Sequence, residues 1–144
     1  METQNYKNHR RWVPMFHFVL LALIILIMAG ACVNLYKSIG DHERIYSADL
    51  ILSISIVALF FFFFMRGFAL RAQDRAIRAE ENLRHYILAG KLLDKRLHAK
   101  QIVALRFASD EEFVELAKKS AESNMKPEDI KKEIKNWKGD FYRV

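Results

Sequence analysis

The stretch FVLLALIILIMAGACV, residues 18–33, contains no charged side chain, and LILSISIVALFFFFFM, residues 50–65, has the same character. Apolar and interfacial neighbours extend the two runs to residues 13–36 and 47–66. About 20 such residues in a helix cross a hydrocarbon core of roughly 30 Å. Aromatic side chains that favour a membrane interface flank the runs, namely Trp12, Tyr36 and Tyr46. The sequence therefore predicts two transmembrane helices.

The overall composition does not reveal that apolar and charged residues lie in different parts of the chain. Of 144 residues, 52% are apolar and 28% charged, and 23 Lys and Arg against 17 Asp and Glu give a net charge of +6. Most of the charge follows Arg66, which argues against a single soluble globule, a disordered chain or a disulfide scaffold. Two buried helices of a soluble protein are the alternative, but the rest of the chain is too short and too charged to cover them. Cys32 is the only cysteine, so the sequence predicts neither an internal disulfide nor a cysteine metal cluster.

The distribution of basic residues predicts the orientation of the two spans. The connection KSIGDHERIY, residues 37–46, is short and nearly neutral, and Gly40-Asp41 is typical of a turn. Basic residues crowd the outer flanks instead: Lys7, Arg10, Arg11, Arg66, Arg71, Arg75 and Arg78. The positive-inside rule therefore places residues 1–12 and 67–144 in the cytoplasm, with both termini on that side. A cleaved signal peptide ending near Cys32 stays open as an alternative, although the apolar run is longer than a signal core usually is.

The chain after the second run is dense in good helix formers, and no proline lies between Ser47 and Lys126. We expect the second span to continue as one helix of roughly 45 residues that ends near Gly90 to Asp94. The predicted fold is all-α: a two-helix transmembrane hairpin, a second span that continues into a long cytoplasmic helix, and a small helical C-terminal unit.

The cytoplasmic extension carries a stripe whose members alternate by three and four residues: Ala69, Ala72, Ala76, Ala79, Leu83, Tyr86, Gly90 and Leu93. This heptad spacing predicts a helix-packing seam, because small seam residues let backbones approach closely. The seam packs either on the protein's own later helices or on a partner or second copy. Arg71, Arg75 and Arg78 form another face, predicted either to bind anionic lipid headgroups, at about 1 kcal/mol each, or to be a solvated face that only sets topology.

Three short helices are predicted from His98 onward. Residues 98–108 place Ile102 and Leu105 on one side, and Ser109 with Glu112 predicts a capping box at the start of the next helix. The apolar face of that second helix is expected at Phe113, Leu116, Ala117 and Ala121, before a stop near Asn124. Pro127 suits the first turn of the last helix. Its apolar face is expected to continue through Ile130, Ile134, Trp137 and Phe141.

Residue patterns typical of catalysis are missing from the sequence. It has no phosphate-binding glycine loop, zinc-protease helix or nucleophile elbow, and its five histidines lack metal-ligand spacing. His17 and Asp49 are weak candidates for an intramembrane polar site, His17 for haem and Asp49 for ion conduction. We expect no enzyme activity, cofactor, metal or nucleic-acid partner.

Three blocks of sequence carry a resemblance: QNYKNHRRWVPMFHF at residues 4–18, RAQDRAIRAEENLRHYILAGKLLD at 71–94, and the tail from Gln101 to Val144. Together they resemble an uncharacterised family of small two-span bacterial membrane proteins, a domain of unknown function. The resemblance implies a bacterial cytoplasmic (inner) membrane setting and offers no catalytic residues to transfer.

These features favour a non-enzymatic accessory, assembly or scaffold protein of a membrane complex, or a homo-oligomeric membrane protein. The partners are then the lipid bilayer and a membrane complex or second copy. Two other classes stay open: a small transporter, channel-like or cofactor-binding subunit that uses His17 or Asp49, and a membrane-tethered adaptor for anionic lipid or nucleic acid.

Overall fold

The computed structural model describes residues 4–9 and 11–141. Over these residues the regular structure is helical, in five α-helices and one π-helical segment, apart from an isolated antiparallel bridge. The all-α prediction is therefore confirmed for the described chain. The residues group into two compact units, which we call the apolar unit, Trp12–Ala69, and the terminal unit, Met1–Arg11 with Leu70–Val144.

The apolar unit contains the first helical stretch and the first part of the second. A π-helical segment, Met15–Leu20, runs directly into helix α1, Leu21–Lys37, and helix α2 spans Ile45–Ala89. Both stretches are long and apolar enough to cross a membrane, yet only 11% and 17% of their most apolar windows are buried. Apolar core helices of a soluble protein would be mostly buried, so this exposure counts against that alternative.

The buried residues within α1 and the apolar unit's part of α2 recur every seven positions, as in a heptad seam: Ile24 and Ala31 on α1, and Ala48, Ser55 and Phe62 on α2. Phe16, ahead of α1, stacks on Phe62 with ring centres 4.5 Å apart. The hydroxyl of Ser55 donates to the Leu52 carbonyl at 2.7 Å, so this polar side chain is satisfied within its own helix.

The connection between α1 and α2 is a short polar turn near the predicted loop of residues 37–46. Gly40 has a φ of 92°, in the left-handed region that favours glycine. The Asp41 carboxylate accepts the backbone N–H groups of Glu43 and Arg44 at 3.1 and 3.3 Å. Asp41 therefore fixes the turn that starts α2.

Helix α2 is a single element of 45 residues, as the sequence predicts, and it ends at Ala89. Gly90 follows with a φ of 68°, and its N–H donates to the Tyr86 carbonyl at 2.9 Å. A left-handed glycine directly after the last helical residue is a common helix end, which explains why α2 stops here.

Three short helices complete the terminal unit, as predicted: α3, Ala99–Leu105; α4, Asp110–Glu122; and α5, Pro127–Glu133. Pro127 lies in the first turn of α5, and Asn124, with a φ of 44°, lies in the turn that follows α4. The predicted apolar residues of these helices share one core with Leu93, Leu97 and Phe107: Ile102, Leu105, Phe113, Leu116, Ala117, Ala121, Ile130 and Ile134.

The predicted continuation of the last helix through Trp137 and Phe141 is wrong. Helix α5 ends at Glu133, and Ile134 is extended, with φ −62° and ψ 119°. Trp137 forms an antiparallel bridge with Ala108, while Phe141 is exposed. The segment after α5 therefore pairs with the chain between α3 and α4 instead of continuing a helix.

The predicted capping box at the start of α4 is right in position and wrong in its bonds. Ser109 is the N-cap residue and has an extended backbone, but it makes no side-chain capping hydrogen bond. Glu112 instead accepts the backbone N–H groups of Lys135 and Asn136 at 3.1 and 3.0 Å. The Glu112 carboxylate, which the sequence predicts to cap the N-terminus of α4, therefore binds the segment after α5.

The N-terminal segment packs on the C-terminal helices, a contact that the sequence did not predict. His9 is only 8% exposed, with ring centres 5.8 Å from Phe107 and 5.9 Å from Trp137. Its Nδ1 lies 2.7 Å from the Tyr6 carbonyl, and its Nε2 lies 3.2 Å from Lys131 Nζ. The chain ahead of the first helical stretch is therefore part of the terminal unit.

Polar bonds extend this docking along the last residues of the described chain. The side chain of Gln4 bonds both backbone groups of Asp140, accepting its N–H at 2.7 Å and donating to its carbonyl at 3.3 Å. Arg11 donates to the Phe141 carbonyl at 2.9 Å. These bonds join the two ends of the chain within one unit.

Candidate interaction surface

The part of α2 that follows Ala69 presents one side to the rest of the terminal unit. We call this side the packed face; its residues are buried or half-buried: Gln73, Ile77, Glu81, Arg84 and His85. At about 100° per residue, the first four fall on one side of the helix and His85 lies at its edge. The start of α4, through Asp110 and Phe113, and the segment before it, through Ala108, contact this side.

Arg84 makes the central contacts of the packed face. Its guanidinium lies 3.0 Å from the Glu81 carboxylate and 2.6 Å from that of Asp110, and it donates to the Ala108 carbonyl at 2.7 Å. It also sits 4.2 Å from the centre of the Phe113 ring, within cation–π range. Arg84 therefore ties α2 to the start of α4.

The two carboxylates around Arg84 respond in opposite directions because their burial differs. Burial raises the pKa of Glu81, even though the hydrogen bond and charge of Arg84 oppose that shift. The hydrogen bond from Arg84 lowers the pKa of the exposed Asp110. Arg84 therefore offsets part of the effect of burial on the pKa of Glu81.

His85 secures the chain just after α2. It is buried, its Nδ1 lies 2.6 Å from the Lys91 carbonyl, and its ring meets Phe113 edge-on at 5.9 Å. The histidine thus holds the turn that follows Gly90 against α4, which is a structural role.

Five residues of the predicted seam form an exposed strip, which we call the apolar face: Ala72, Ala76, Ala79, Leu83 and Tyr86. Leu83 is 60% exposed and Tyr86 is 55% exposed. At about 100° per residue, the strip is centred on the side of α2 roughly opposite the packed face. The alternative in which the protein's own later helices cover the seam therefore does not hold for these residues.

The remaining seam residues lie outside the apolar face. Ala69 is half-buried, Gly90 follows the end of α2, and Leu93 belongs to the core of the terminal unit. The spacing of three and four residues continues to Leu93 in the sequence, but the helix ends at Ala89. Gly90 turns the chain there, so Gly90 and Leu93 do not extend the exposed strip. The surface open to a partner is therefore shorter than the sequence predicted.

A third side of α2 carries the arginines proposed for lipid headgroups. Arg71, Arg75 and Arg78 are all exposed, and Arg75 lies next to the apolar face. The three guanidinium groups are thus accessible to an anionic surface.

A cavity of about 600 Å³ lies beside the packed face, within the terminal unit. Charged residues of both signs line it, together with Gln73 and Ala76: Glu80, Glu81, Arg106, Lys138 and Asp140. Arg106 and Asp140 form an ion pair at 2.9 Å, with Arg106 buried. Because the charges largely neutralise one another, the cavity favours no single ligand charge.

The two candidates for an intramembrane polar site have different surroundings. His17 Nδ1 lies 3.1 and 2.9 Å from the backbone nitrogen and oxygen of Val13, and its ring contacts Trp12 and Phe16 edge-on. Asp49 is exposed on α2. Over residues 4–9 and 11–141, no group of three or more His, Cys, Asp and Glu could hold a metal ion. His17 thus bonds locally at the start of the first helical stretch.

A family match covers the whole chain. Residues 1–144 match the model of DUF6526, a family of unknown function. The chain belongs to that family. No curated protein and no solved structure matches it. The predicted resemblance to a family of unknown function is therefore confirmed.

In this DUF6526 member, the apolar face is the strongest candidate surface. It can bury the apolar side chains of a partner helix, because its alanines permit close approach and Leu83 and Tyr86 supply large apolar area. The sequence located this strip by its period. It gave no signal for the Arg84 contacts or the docking of His9.

Proposed function

We propose that the protein is a non-enzymatic accessory or scaffold protein of the bacterial cytoplasmic membrane, which binds a partner chain on the apolar face. One observation carries the proposal: α2 is packed on one side and leaves an apolar strip exposed on the opposite side. Exposed apolar patches rimmed by polar residues mark interaction sites. The absence of a catalytic pattern in the sequence agrees with a binding role.

The side chains of the apolar unit support a membrane anchor. Its phenylalanine run is exposed on several sides of α2, with exposed fractions from 56% to 61%: Phe60, Phe61, Phe63 and Phe64. In water this exposure would cost free energy, whereas hydrocarbon tails solvate phenyl rings well. The two apolar helices are therefore best accommodated by a bilayer.

Two features support a hairpin with both termini in the cytoplasm. Basic residues flank the outer ends of the two apolar runs, as the positive-inside rule requires. The docking of Gln4 and His9 on the C-terminal helices also needs both ends of the chain on the same side of a membrane. The bacterial setting rests on the family resemblance.

The exposed arginines fit the same picture. Arg71, Arg75 and Arg78 begin six residues after Met65, the last residue of the apolar run. Each gains about 1 kcal/mol beside an anionic leaflet, so they would add to the attachment.

The apolar face is tested by a bulky substitution at Ala79, which does not line the cavity. We expect Ala79→Trp to reduce association of the native protein at least tenfold, since overpacking a close helix contact costs about 1–3 kcal/mol. The readout is chemical cross-linking in native membranes, followed by purification in mild detergent and identification of the cross-linked chains.

The matched control is Arg78→Trp, which adds the same ring next to Ala79 but outside the apolar face. Both variants are expected to stay in the membrane fraction and resist protease equally. Equal association in wild type, Ala79→Trp and Arg78→Trp would refute the scaffold proposal. A haem-like absorbance that disappears in His17→Ala would replace it with the cofactor-binding alternative.

A further inference from the structure

We infer that the occupant of the apolar face is the same face of a second copy of this chain, paired as a parallel two-stranded coiled coil. The inference rests on the proposed function and names its partner. Its support comes from three properties of the exposed part of α2: the register of the apolar residues, the charges beside them, and the position of the packed face.

The register matches a self-complementary helix seam. The exposed apolar residues occupy successive heptad positions: Ala76 and Leu83 at a, and Ala72, Ala79 and Tyr86 at d. A repeat of 3.5 residues keeps such a line facing an identical line on another helix. The alanines set a close approach in the first two heptads, and Leu83 and Tyr86 supply the larger contact at the end.

The charges beside the seam select a second copy in parallel orientation. In a parallel pair, the residue at g lies against the residue at e five positions further along the partner helix. Arg75 occupies g and Glu80 occupies e, so Arg75 of one copy faces Glu80 of the other. Because the two copies are related by two-fold symmetry, this ion pair forms twice. Both residues are exposed, and Glu80 also lines the cavity beside the packed face.

The anchor and the packed face make the parallel pair feasible. Copies held in one bilayer by the same apolar unit start their extensions in the same direction, and co-anchoring raises their effective concentration. The contact from Ala72 to Tyr86 spans about 21 Å at 1.5 Å per residue, too short to be stable for free peptides but sufficient for tethered chains. The start of α4 contacts the packed face, and the seam residues stay exposed, although Ala76 also lines the cavity.

Disulfide cross-linking in membranes tests the contact. In a Cys32→Ala background, Ala79→Cys is expected to form a disulfide-linked dimer on mild oxidation, while Arg78→Cys on the adjacent side is expected to form at least fivefold less. Equal cross-linking of both cysteines would overturn the inference, because it would reflect random collision.

Charge reversal tests the register. Arg75→Glu and Glu80→Arg, each in the Ala79→Cys background, place like charges opposite each other in homodimers, and we expect each to lower cross-linking about fivefold. Co-expression of the two variants with different tags restores both ion pairs, so the mixed dimer should exceed either homodimer. A statistical mixture of dimers would overturn the parallel register.

The failures of the two proposals are distinguishable. Suppose that Ala79→Cys gives no disulfide-linked dimer, while Ala79→Trp abolishes cross-linking to a different protein. The second copy is then excluded as the partner, and the scaffold function stands. If neither variant changes any association, both proposals fail.

Discussion

Arg84 shows how one side chain decides which side of a helix is packed. Its side chain is 12% exposed, and its guanidinium contacts a carboxylate on its own helix, another at the start of α4, and a backbone carbonyl. Its partner Glu81 is buried and its partner Asp110 is exposed, and their pKa values shift in opposite directions. Removing Arg84 would leave Glu81 as a buried charge without its partner.

We predict that Arg84→Met lowers the free energy of unfolding of the terminal unit by about 3 kcal/mol at pH 8, the usual cost of stranding a buried charge. Because the pKa of Glu81 is raised by folding, the folded state binds more protons, and stability falls as pH rises from near 4.5 through the raised value. The deficit should therefore shrink as the pH is lowered from 8 to 5. Thermal unfolding in detergent, followed by circular dichroism, measures it.

The control is the double variant Glu81→Gln with Arg84→Met, in which no carboxylate remains to be stranded. It should recover part of the lost stability at pH 8 and remove the pH dependence between 5 and 8. The lowered pKa of Asp110 does not interfere, because its contribution is lost only below pH about 4. A deficit of equal size at pH 5 and pH 8 would contradict this account of Glu81.

At the scale of elements, the end of α2 is set by a local signal and the end of α5 by a tertiary one. Gly90 ends α2 through its left-handed backbone conformation. A glycine at the end of a helical pattern is a signal that can be read from the sequence. Helix α5 has no such signal after Glu133. The next residues leave the helix because Lys138 N–H donates to the Phe107 carbonyl at 2.7 Å and Ser109 N–H donates to the Asn136 carbonyl at 3.0 Å.

Gly90 permits a direct test of its role. A Cβ at Gly90 would meet no atom within 4 Å, so a substitution acts through the backbone alone. We predict that Gly90→Ala destabilises the terminal unit by about 1 kcal/mol and that Gly90→Asn costs clearly less, since asparagine tolerates the left-handed region better. Denaturant unfolding monitored by Trp137 fluorescence, in a Trp12→Phe background, compares the two. Equal losses would mean that the backbone conformation is not the cause.

At the scale of the whole molecule, the docking of the N-terminal segment joins the two ends of the chain. The His9 ring contacts the rings of Phe107 and Trp137. The side chain of Gln4 bonds both the backbone N–H and the backbone carbonyl of Asp140. In the proposed hairpin two spans separate these segments, so the contact requires both segments to lie on the same side of the membrane. Labelling experiments can therefore test on which side of the membrane each segment lies, without relying on the positive-inside rule.

We predict that both termini face the cytoplasm. In a Cys32→Ala background, Ile39→Cys, an exposed position in the connection between α1 and α2, should react with a membrane-impermeant maleimide added to intact cells. Lys138→Cys, exposed in the terminal unit, should react only after the membrane is opened. Reaction of Lys138→Cys in intact cells would reverse the orientation and change the compartment in which a partner is sought.

Local sequence signals were sufficient to predict the two apolar stretches, the uninterrupted α2, the positions of α3 to α5 and the residues of their shared core. These features depend on composition, proline, glycine and a period of 3.6 residues, all of which act over a few neighbouring positions. Long-range contacts in the folded chain set which side of α2 is packed, place Leu93 in the core, and pair the segments near both chain ends. Those outcomes depend on contacts such as Arg84 with Asp110 and His9 with Trp137, between residues far apart in the chain, which leave no periodic signal in the sequence.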